Sequence, residues 1–486
     1  MQENSGKNIV IFSDGTGQAG GLIPDELRSN IYKLFRATRC GPDTNIDPRK
    51  QVAFYDPGLG SSADGKSKVG LYRRLKNSLS QATGLGLADN IIDCYSALLY
   101  YYRPGDRIFL VGFSRGAYTV RCLGGVIALC GIPTTMADGK ASLRRDPRTI
   151  RKIAGEAVNE IYQHGISRTR EGLREMLEDQ RKELAKSFRN RHKCNHGSII
   201  ERSNVAPHFI GVFDTVAALG TSRQMIAVLV ALLIAMLAAL GVAGGFIAHS
   251  FFAQPFWCST IATFGALAAA GGFAALIWYL HSHLQYSHDL QGYQFRNRWH
   301  FTGWKMQFYD TQLNVNVGWA RHAISIDEYR KDFARVAWGR QDVWRGVNPG
   351  EPTWLKQVWF AGNHSDVGGS YAENESRLSD IALKWMVEEA QSIPNGLLVD
   401  PAYLRLFPDA EGPQHDECKI GIPFLRYWTL KWPRAERKID PKAELHDSVY
   451  QRLAAEEVLH YDETGRYRPN MLHEHEKAGT YFPKPD

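Results

Sequence analysis

Residues 224–288 contain no Asp, Glu, Lys or Arg. Two dense apolar runs, 225–248 and 258–280, lie inside that stretch and are joined by HSFFAQPFW. Each is longer than the about 20 residues that a helix rising 1.5 Å per residue needs to cross roughly 30 Å of hydrocarbon. The pattern predicts an antiparallel transmembrane hairpin over 223–288, with a hairpin buried inside a large soluble core as the alternative. Gly241 and Gly245 stand four apart, as do Ala268 and Gly272. Small-residue faces of this kind let helix backbones approach closely in lipid, and they also permit a homo-oligomer through the hairpin. Phe251, Phe252, Phe256 and Trp257 fall at the turn, and Trp278 and Tyr279 at the return end, where aromatic belts form. Arg223 precedes the first run, Arg296 and Arg298 follow the second, and the link carries only His249. A positive-inside reading puts the link outside and the rest of the chain in the cytoplasm.

The 486-residue chain as a whole is 44% hydrophobic and 22% charged, which excludes a disordered or fibrous polypeptide. Its net charge of +7 is mild. It suits an anionic membrane surface and gives no ground for nucleic acid as a partner. Most of the excess sits in 138–202, with 16 Lys/Arg against ten Asp/Glu. That basic, helix-patterned segment is expected as a solvated insertion or, alternatively, as a lid facing a membrane. The seven cysteines lack metal or disulfide-framework spacing and read as thiols of a reducing compartment. The opening MQENSGKNIVIFSDGTG has no basic start followed by an apolar run, so no cleavable secretion signal is expected.

Elsewhere strand patterns alternate with helix patterns. KNIVIF (7–12) reads as a buried strand ending at Ser13-Asp14-Gly15-Thr16-Gly17, and 52–55 as a second ending at Asp56. A helical pattern over 87–102 leads into RIFLVG (107–112), a continuous apolar run of buried-strand length. HFIGVF (208–213) ends at Asp214, and 354–360 ends shortly before Asn363-His364. The alternation predicts an α/β fold with a mostly parallel sheet and helices on both faces, whose carboxyl edge carries the functional loops.

At the end of RIFLVG stands Gly112-Phe113-Ser114-Arg115-Gly116. The bare G-x-S-x-G pattern is weak, but a strand directly before it and a helix directly after it make a nucleophile elbow of the α/β-hydrolase type. Gly112 and Gly116 leave room for so sharp a turn. The helix start behind the serine offers backbone N–H groups and a positive dipole end to an oxyanion. A serine hydroxyl needs a base to take its proton, and the base needs a carboxylate to hold it. In this fold the chain order is Ser, acid, His. Asp214 is the best acid because it directly follows a buried strand; Asp366 is its rival, in a position suited to shaping a loop. His364, after the 354–360 strand, is the best base. The oxyanion hole is expected from the N–H of Arg115 with an N–H of Gly15 or Thr16. His208 reads as structural, and His281, His283 and His288 as interfacial. No metal motif stands out and no cofactor is expected. Calcium at Asp14, Asp56 or Asp366 is the alternative, since carboxylates beside backbone carbonyls can bind it.

DGT (14–16), SNIYKL (29–34), YDPGLG (55–60), YYRPGDRIFLVGFSRGAYTVR (101–121), GVFDTV (211–216), ARHAISIDEYR (320–330) and VWFAGNHSDVGGSY (358–371) follow one another in order. LSDIALKWM (378–386), HDSVYQR (446–452) and YRPNML (467–472) continue the series. On these motifs the chain resembles the α/β-hydrolase family of the type VI secretion phospholipase effectors, in its catalytic domain, over most of its length outside the basic segment and the hairpin. The resemblance implies hydrolysis of phospholipid esters by a Ser-Asp-His triad. The Ser of GFSRGA is Ser114, the Asp of GVFDTV is Asp214 and the His of NHSDVGG is His364, the residues reached from position alone. It also implies membrane-associating insertions between the Asp and His motifs, where this hairpin sits, and a secretion or immunity/regulatory partner.

The expected organisation is a hydrolase core with the elbow at 1–137 and a basic helical insertion at 138–203. A core strand with the acid follows at 204–222, the transmembrane hairpin at 223–288, and core with the histidine and the C-terminal region at 289–486. The expected function is that of a membrane-associated serine esterase or lipase, foremost a phospholipase A acting as a membrane-damaging bacterial effector with the phospholipid membrane as its partner. An esterase or thioesterase on another acyl substrate is one alternative. A membrane-permeabilising module with an inactive hydrolase fold is the other.

Overall fold

A computed structural model of the chain describes residues 6–15, 27–58, 86–165, 171–197, 199–216, 223–286, 290, 298–301, 313–339, 353–422, 425–461 and 463–483. Its centre is a seven-stranded sheet: β1 (Asn8–Ser13), β2 (Gln51–Asp56), β3 (Arg107–Phe113), β4 (Phe209–Phe213), β5 (Trp319–Ser325), β6 (Leu355–Phe360) and β7 (Glu444–Leu445). The spatial order is β7-β6-β5-β4-β3-β1-β2, and every neighbouring pair is parallel. β1, β2, β3, β4 and β6 lie where the apolar runs predict them. β5 and β7 do not stand out in the sequence. WARHAIS breaks its apolar run with Arg321 and His322, both fully buried, and β7 is two residues long.

Side chains alternate across a strand, and here both faces are apolar. Ile9, Ile11, Ile108, Leu110, Ile210 and Val212 pack on one face with helices α2 (Gly86–Tyr101) and α3 (Arg115–Cys130). Val10, Phe12, Phe109, Val111, Phe209 and Phe213 pack on the other with α1 (Asn30–Thr38) and a later helix, Arg377–Ser392. The helix after β1 thus covers one face and the helix after β3 the opposite face. The carboxyl ends of these two adjacent strands are the position at which open α/β sheets bind ligands.

The basic segment folds as helices that pack on the core through one apolar side. α4 (Pro147–Gly155), the π-helical turn Glu156–Tyr162 and α5 (Glu171–His192) bury Ile150, Ile153, Val158, Ile161, Leu184 and Phe188 in the core that α2 and α3 share. Arg148, Arg151, Lys152 and Lys182 remain exposed. The segment is an outer helical layer on one face of the sheet.

The uncharged stretch forms two helices, α6 (Arg223–Phe252) and α7 (Phe256–His283). The connection is shorter than HSFFAQPFW suggests, because α6 runs on until Ala253 turns the backbone to φ 49° and α7 begins directly after Pro255. Both helices are long and apolar enough to cross a membrane. They do not fill a protein core: Phe246, Phe251, Trp257 and Ile261 are each more than 60% exposed (64%, 78%, 71% and 70%). The small residues divide by role. A Cβ at Gly241 would stand 3.0 Å from the Phe264 side chain and one at Gly245 would collide with Thr260, whereas one at Gly272 would have nothing within 4 Å among the described residues.

Candidate active site

Ser114 sits where β3 becomes α3, with φ 57° and ψ −121°, a conformation that an L-residue adopts only when its surroundings hold it there. A Cβ at Gly112 would lie 2.5 Å from the Gly116 carbonyl oxygen, and one at Gly116 would collide with that of Ser13. Both glycines are thus required by close backbone approach. The Ser114 N–H donates to Phe213 O at the end of β4 (3.2 Å), which ties the elbow to the strand that ends at Asp214.

Asp214 is fully buried, at φ 35°, with its N–H on Ala323 O of β5 (2.7 Å). Its Oδ2 meets His364 Nδ1 at 2.6 Å. Oδ1 accepts from the Ser325 N–H (3.1 Å) and from Arg437 Nη1 (2.5 Å), and Oδ2 also accepts from Arg437 Nη2 (3.0 Å). Burial opposes ionisation, but Arg437 and His364 overcome it and hold the carboxyl well below the usual carboxylate range.

His364 opens α8 (His364–Gly368), a short helix capped by Asn363, whose Oδ1 accepts from the N–H groups of Ser365 (2.8 Å) and Asp366 (2.9 Å). The imidazole lies against the Phe113 ring (centroids 4.6 Å apart) and edge-on to Phe333 (5.3 Å). With Nδ1 on Asp214, the other nitrogen, Nε2, is buried and has no hydrogen-bond partner among the described residues. Strand ends thus bring Ser114, Asp214 and His364 to one edge of the sheet. The arrangement offers a carboxylate-oriented imidazole whose Nε2 is unpaired among the described residues, on the same sheet edge as a strained serine; no Ser114–His364 hydrogen bond is formed, and proton abstraction followed by nucleophilic attack needs these residue types.

The rival acid does something else. Asp366 accepts from His415 Nδ1 (2.8 Å), the His415 N–H (3.1 Å) and the Asn363 N–H (3.0 Å), closing the capping box that fixes the His364 turn. Of the oxyanion candidates, Arg115 is the first residue of α3. Gly15 lies beside the elbow, where a Cβ would be 3.5 Å from that of Ser114, but its N–H already donates to Asp14 Oδ1 (2.7 Å). Thr16 lies outside the described residues, as does His288. The three carboxylates named for calcium are engaged by protein donors. Asp14 accepts from Ser29 (2.5 Å) and Tyr55 (2.7 Å), Asp56 from Ser13 (2.9 Å), and Asp366 as above. Among the described residues no group of three or more His, Cys, Asp or Glu could hold a metal. His208 bonds Pro394 O (2.8 Å) and packs on Trp319, as a structural histidine does.

Sequence reasoning missed Arg437 and Ser325. Arg437 stands in an unpatterned PRAERK stretch, 223 residues from Asp214, and nothing local marks it.

The profile described as "T6SS, Phospholipase effector Tle1-like, catalytic domain" matches residues 7–239 and 284–389. The uncharacterized protein YEL023C of Saccharomyces cerevisiae is 37% identical over 134 residues, which is 26% of this chain and 18% of that protein. A crystal structure of an uncharacterized protein from Pseudomonas aeruginosa aligns at 16% identity and TM-score 0.35, over 84% of this chain and 48% of the other. A Tle1 effector bound to the VgrG spike of the type VI secretion system aligns at 15% identity and TM-score 0.28, over 77% and 53% respectively. The chain therefore spans about half the length of these solved chains and 18% of the curated relative. With the profile covering well over half of its residues, elbow, acid and histidine turn included, the chain belongs to the family of Tle1-like phospholipase effectors of type VI secretion, in their catalytic domain.

Proposed function

We propose that the protein is a serine lipase of the α/β-hydrolase fold that cleaves acyl esters of phospholipids at a membrane in which its hairpin is embedded. The observation that carries the reading is the 2.6 Å contact of His364 Nδ1 with buried Asp214, assembled at the sheet edge where the Ser114 elbow also stands. Membership of a phospholipase effector family supports the choice of ester.

In this reading His364 Nε2 takes the Ser114 Oγ proton as Oγ attacks the acyl carbonyl. The negative charge on the carbonyl oxygen is met by the Arg115 N–H and by a second N–H, that of Gly15 once it gives up Asp14 or that of Thr16. Collapse breaks the acyl C–O bond, and the departing lysolipid alkoxide takes the proton from His364. Water then gives a proton to His364 and attacks the acyl-enzyme. The fatty acid departs and Ser114 recovers its proton. Asp214 stays ionised throughout and holds the imidazole in the tautomer with Nδ1–H. No step requires a metal or cofactor. The hairpin, inserted between the acid and the histidine, keeps Ser114 near the bilayer so that substrate arrives by lateral diffusion at high local concentration. A cytoplasmic-side catalytic domain, self-association through α7, a secretion or immunity partner, and action as a membrane-damaging effector belong to the same proposal.

The test is hydrolysis of mixed phospholipids by detergent-purified protein beside Ser114→Ala, with products identified by mass spectrometry. Free fatty acid and lysolipid from the wild type alone are expected. Hydrolysis of other acyl esters or thioesters with phospholipids untouched would move the substrate. The exposed apolar surface of α6 and α7 favours one competing reading, a permeabilising hairpin on an inactive hydrolase. It predicts vesicle leakage that survives Ser114→Ala.

A further inference from the structure

A cavity of about 620 Å³ opens along α1, between that helix and the segments 371–373 and 402–407. Four cations line it: Arg28, Lys33, Arg36 and Arg405. Lys33 is neutralised, with Nζ 3.1 Å from both Asp380 and Glu373. The three arginines have no carboxylate within ion-pair distance among the described residues, and Glu373, the one lining acid, is already held by Lys33. Arg36 lays its guanidinium against the Tyr403 ring, 5.5 Å from the centroid, while its Nε is buried without a hydrogen-bond partner among the described residues.

Guanidinium groups pair with phosphate oxygens through parallel N–H bonds, and a surplus of positive charge repels an ammonium. Tyr32, Tyr371 and Phe407 complete the walls with apolar faces suited to a glycerol backbone. Two lining residues also touch side chains of the sheet edge. Tyr32 packs edge-on to Tyr55 (5.5 Å), whose hydroxyl donates to Asp14 beside Gly15, and the Tyr371 hydroxyl accepts from Asn363 Nδ2 (2.9 Å), the cap of the His364 helix.

We propose that this cavity binds the phosphoryl headgroup of an anionic phospholipid, at a site separate from the Ser114 centre. The choice of a lipid as the source of the phosphoryl group rests on the lipase reading; the preference for phosphoryl over ammonium does not.

The test is calorimetric titration of the full chain in a maltoside detergent. It carries Ser114→Ala, so that ligand is not consumed. The ligands are dihexanoyl phosphatidylglycerol, dihexanoyl phosphatidylcholine and inorganic phosphate. Phosphatidylglycerol should bind more tightly than the other two, and Arg36→Gln/Arg405→Gln should weaken it by about ten-fold or more. Arg405→Gln alone, a change at an exposed side chain, should give part of that loss, which guards against a folding defect in the double variant. Unchanged phosphatidylglycerol affinity in both variants, or phosphatidylcholine binding as tight, would overturn the proposal. Inorganic phosphate binding as tightly, and lost alongside, would reassign the cavity to soluble phosphate and overturn the lipid assignment. Argininine-dependent phosphatidylglycerol binding in a protein whose Ser114-intact form hydrolyses no phospholipid would sink the lipase reading and leave the cavity standing.

Discussion

Arg437 grips Asp214 with both ends of its guanidinium, Nη1 on Oδ1 and Nη2 on Oδ2, while both side chains are withdrawn from water. The same Oδ2 is shared with His364. The arginine therefore does two things, offsetting a buried negative charge and fixing the plane of the carboxylate that aims the imidazole.

Removing one partner of such a pair leaves a buried charge uncompensated, at a cost of about 3–5 kcal/mol. Arg437→Leu should lower stability by about that amount in urea unfolding. The pH dependence should move with it. A carboxyl held below its ordinary value contributes stability above about pH 4, lost as pH falls through the folded value. Arg437→Leu gives up much of the force that holds it down, so the acid unfolding transition should shift to higher pH. An unshifted transition would mean that His364 and Ser325 suffice.

A second titration is expected on the alkaline side. Burial pulls His415 down, but Asp366 and Glu375 outweigh it and raise its proton affinity. A raised histidine contributes stability that is fully present below about pH 6.5 and disappears as pH rises through the folded value. Melting temperature should therefore decline from about pH 6.5 upward, and His415→Gln should flatten that decline. Because Asp366 also closes the cap of the His364 helix, the same variant should lower hydrolytic turnover.

The elbow stores strain that glycine would release. A non-glycine residue at φ 57° and ψ −121° costs about 1–3 kcal/mol. Against this, glycine gives the unfolded chain more freedom, worth about 0.4–1 kcal/mol. Ser114→Gly should come out about 1 kcal/mol more stable in urea unfolding, and inactive on phospholipid. A less stable Ser114→Gly would show that the hydroxyl is doing structural service.

The two small faces of the hairpin should answer differently to bulk. Gly245→Leu would drive a side chain into Thr260 and should splay α6 from α7, whereas Gly272→Leu meets open space and should leave their packing intact. Cysteine cross-linking between the helices reads the difference. Equal cross-linking in both variants would mean that the hairpin repacks around the added volume.

Much of this was legible in the chain because the signals are local. Buried strands announce themselves as runs such as RIFLVG, and the elbow is a contiguous pattern whose glycines answer to backbone atoms only a few residues or one strand away. Asp214 and His364 could be placed because each follows a strand end. β5 was hidden by the polar pair Arg321 and His322. The arginine is tolerated inside because it reaches Glu389 (2.5 Å) and the carbonyls of Ala320 (2.8 Å) and Thr353 (2.9 Å), and burial holds the histidine neutral. Arg437 was hidden because its partner is brought to it only by the finished fold. In the basic segment the charge that dominates the pattern lies outward, and one stripe of isoleucine, leucine and phenylalanine on α4 and α5 seats it on the core.

The hairpin leaves the sheet after β4 and the chain rejoins the sheet at β5, the neighbouring strand. Read as a sequence of events on the ribosome, that order separates the working parts in time. Ser114 and Asp214 emerge first, the apolar helices next, and His364 and Arg437 last. Under the proposed lipase function, a chain that stalls before its apolar helices have found a place would hold a serine with no base, and activity would wait until synthesis was nearly done.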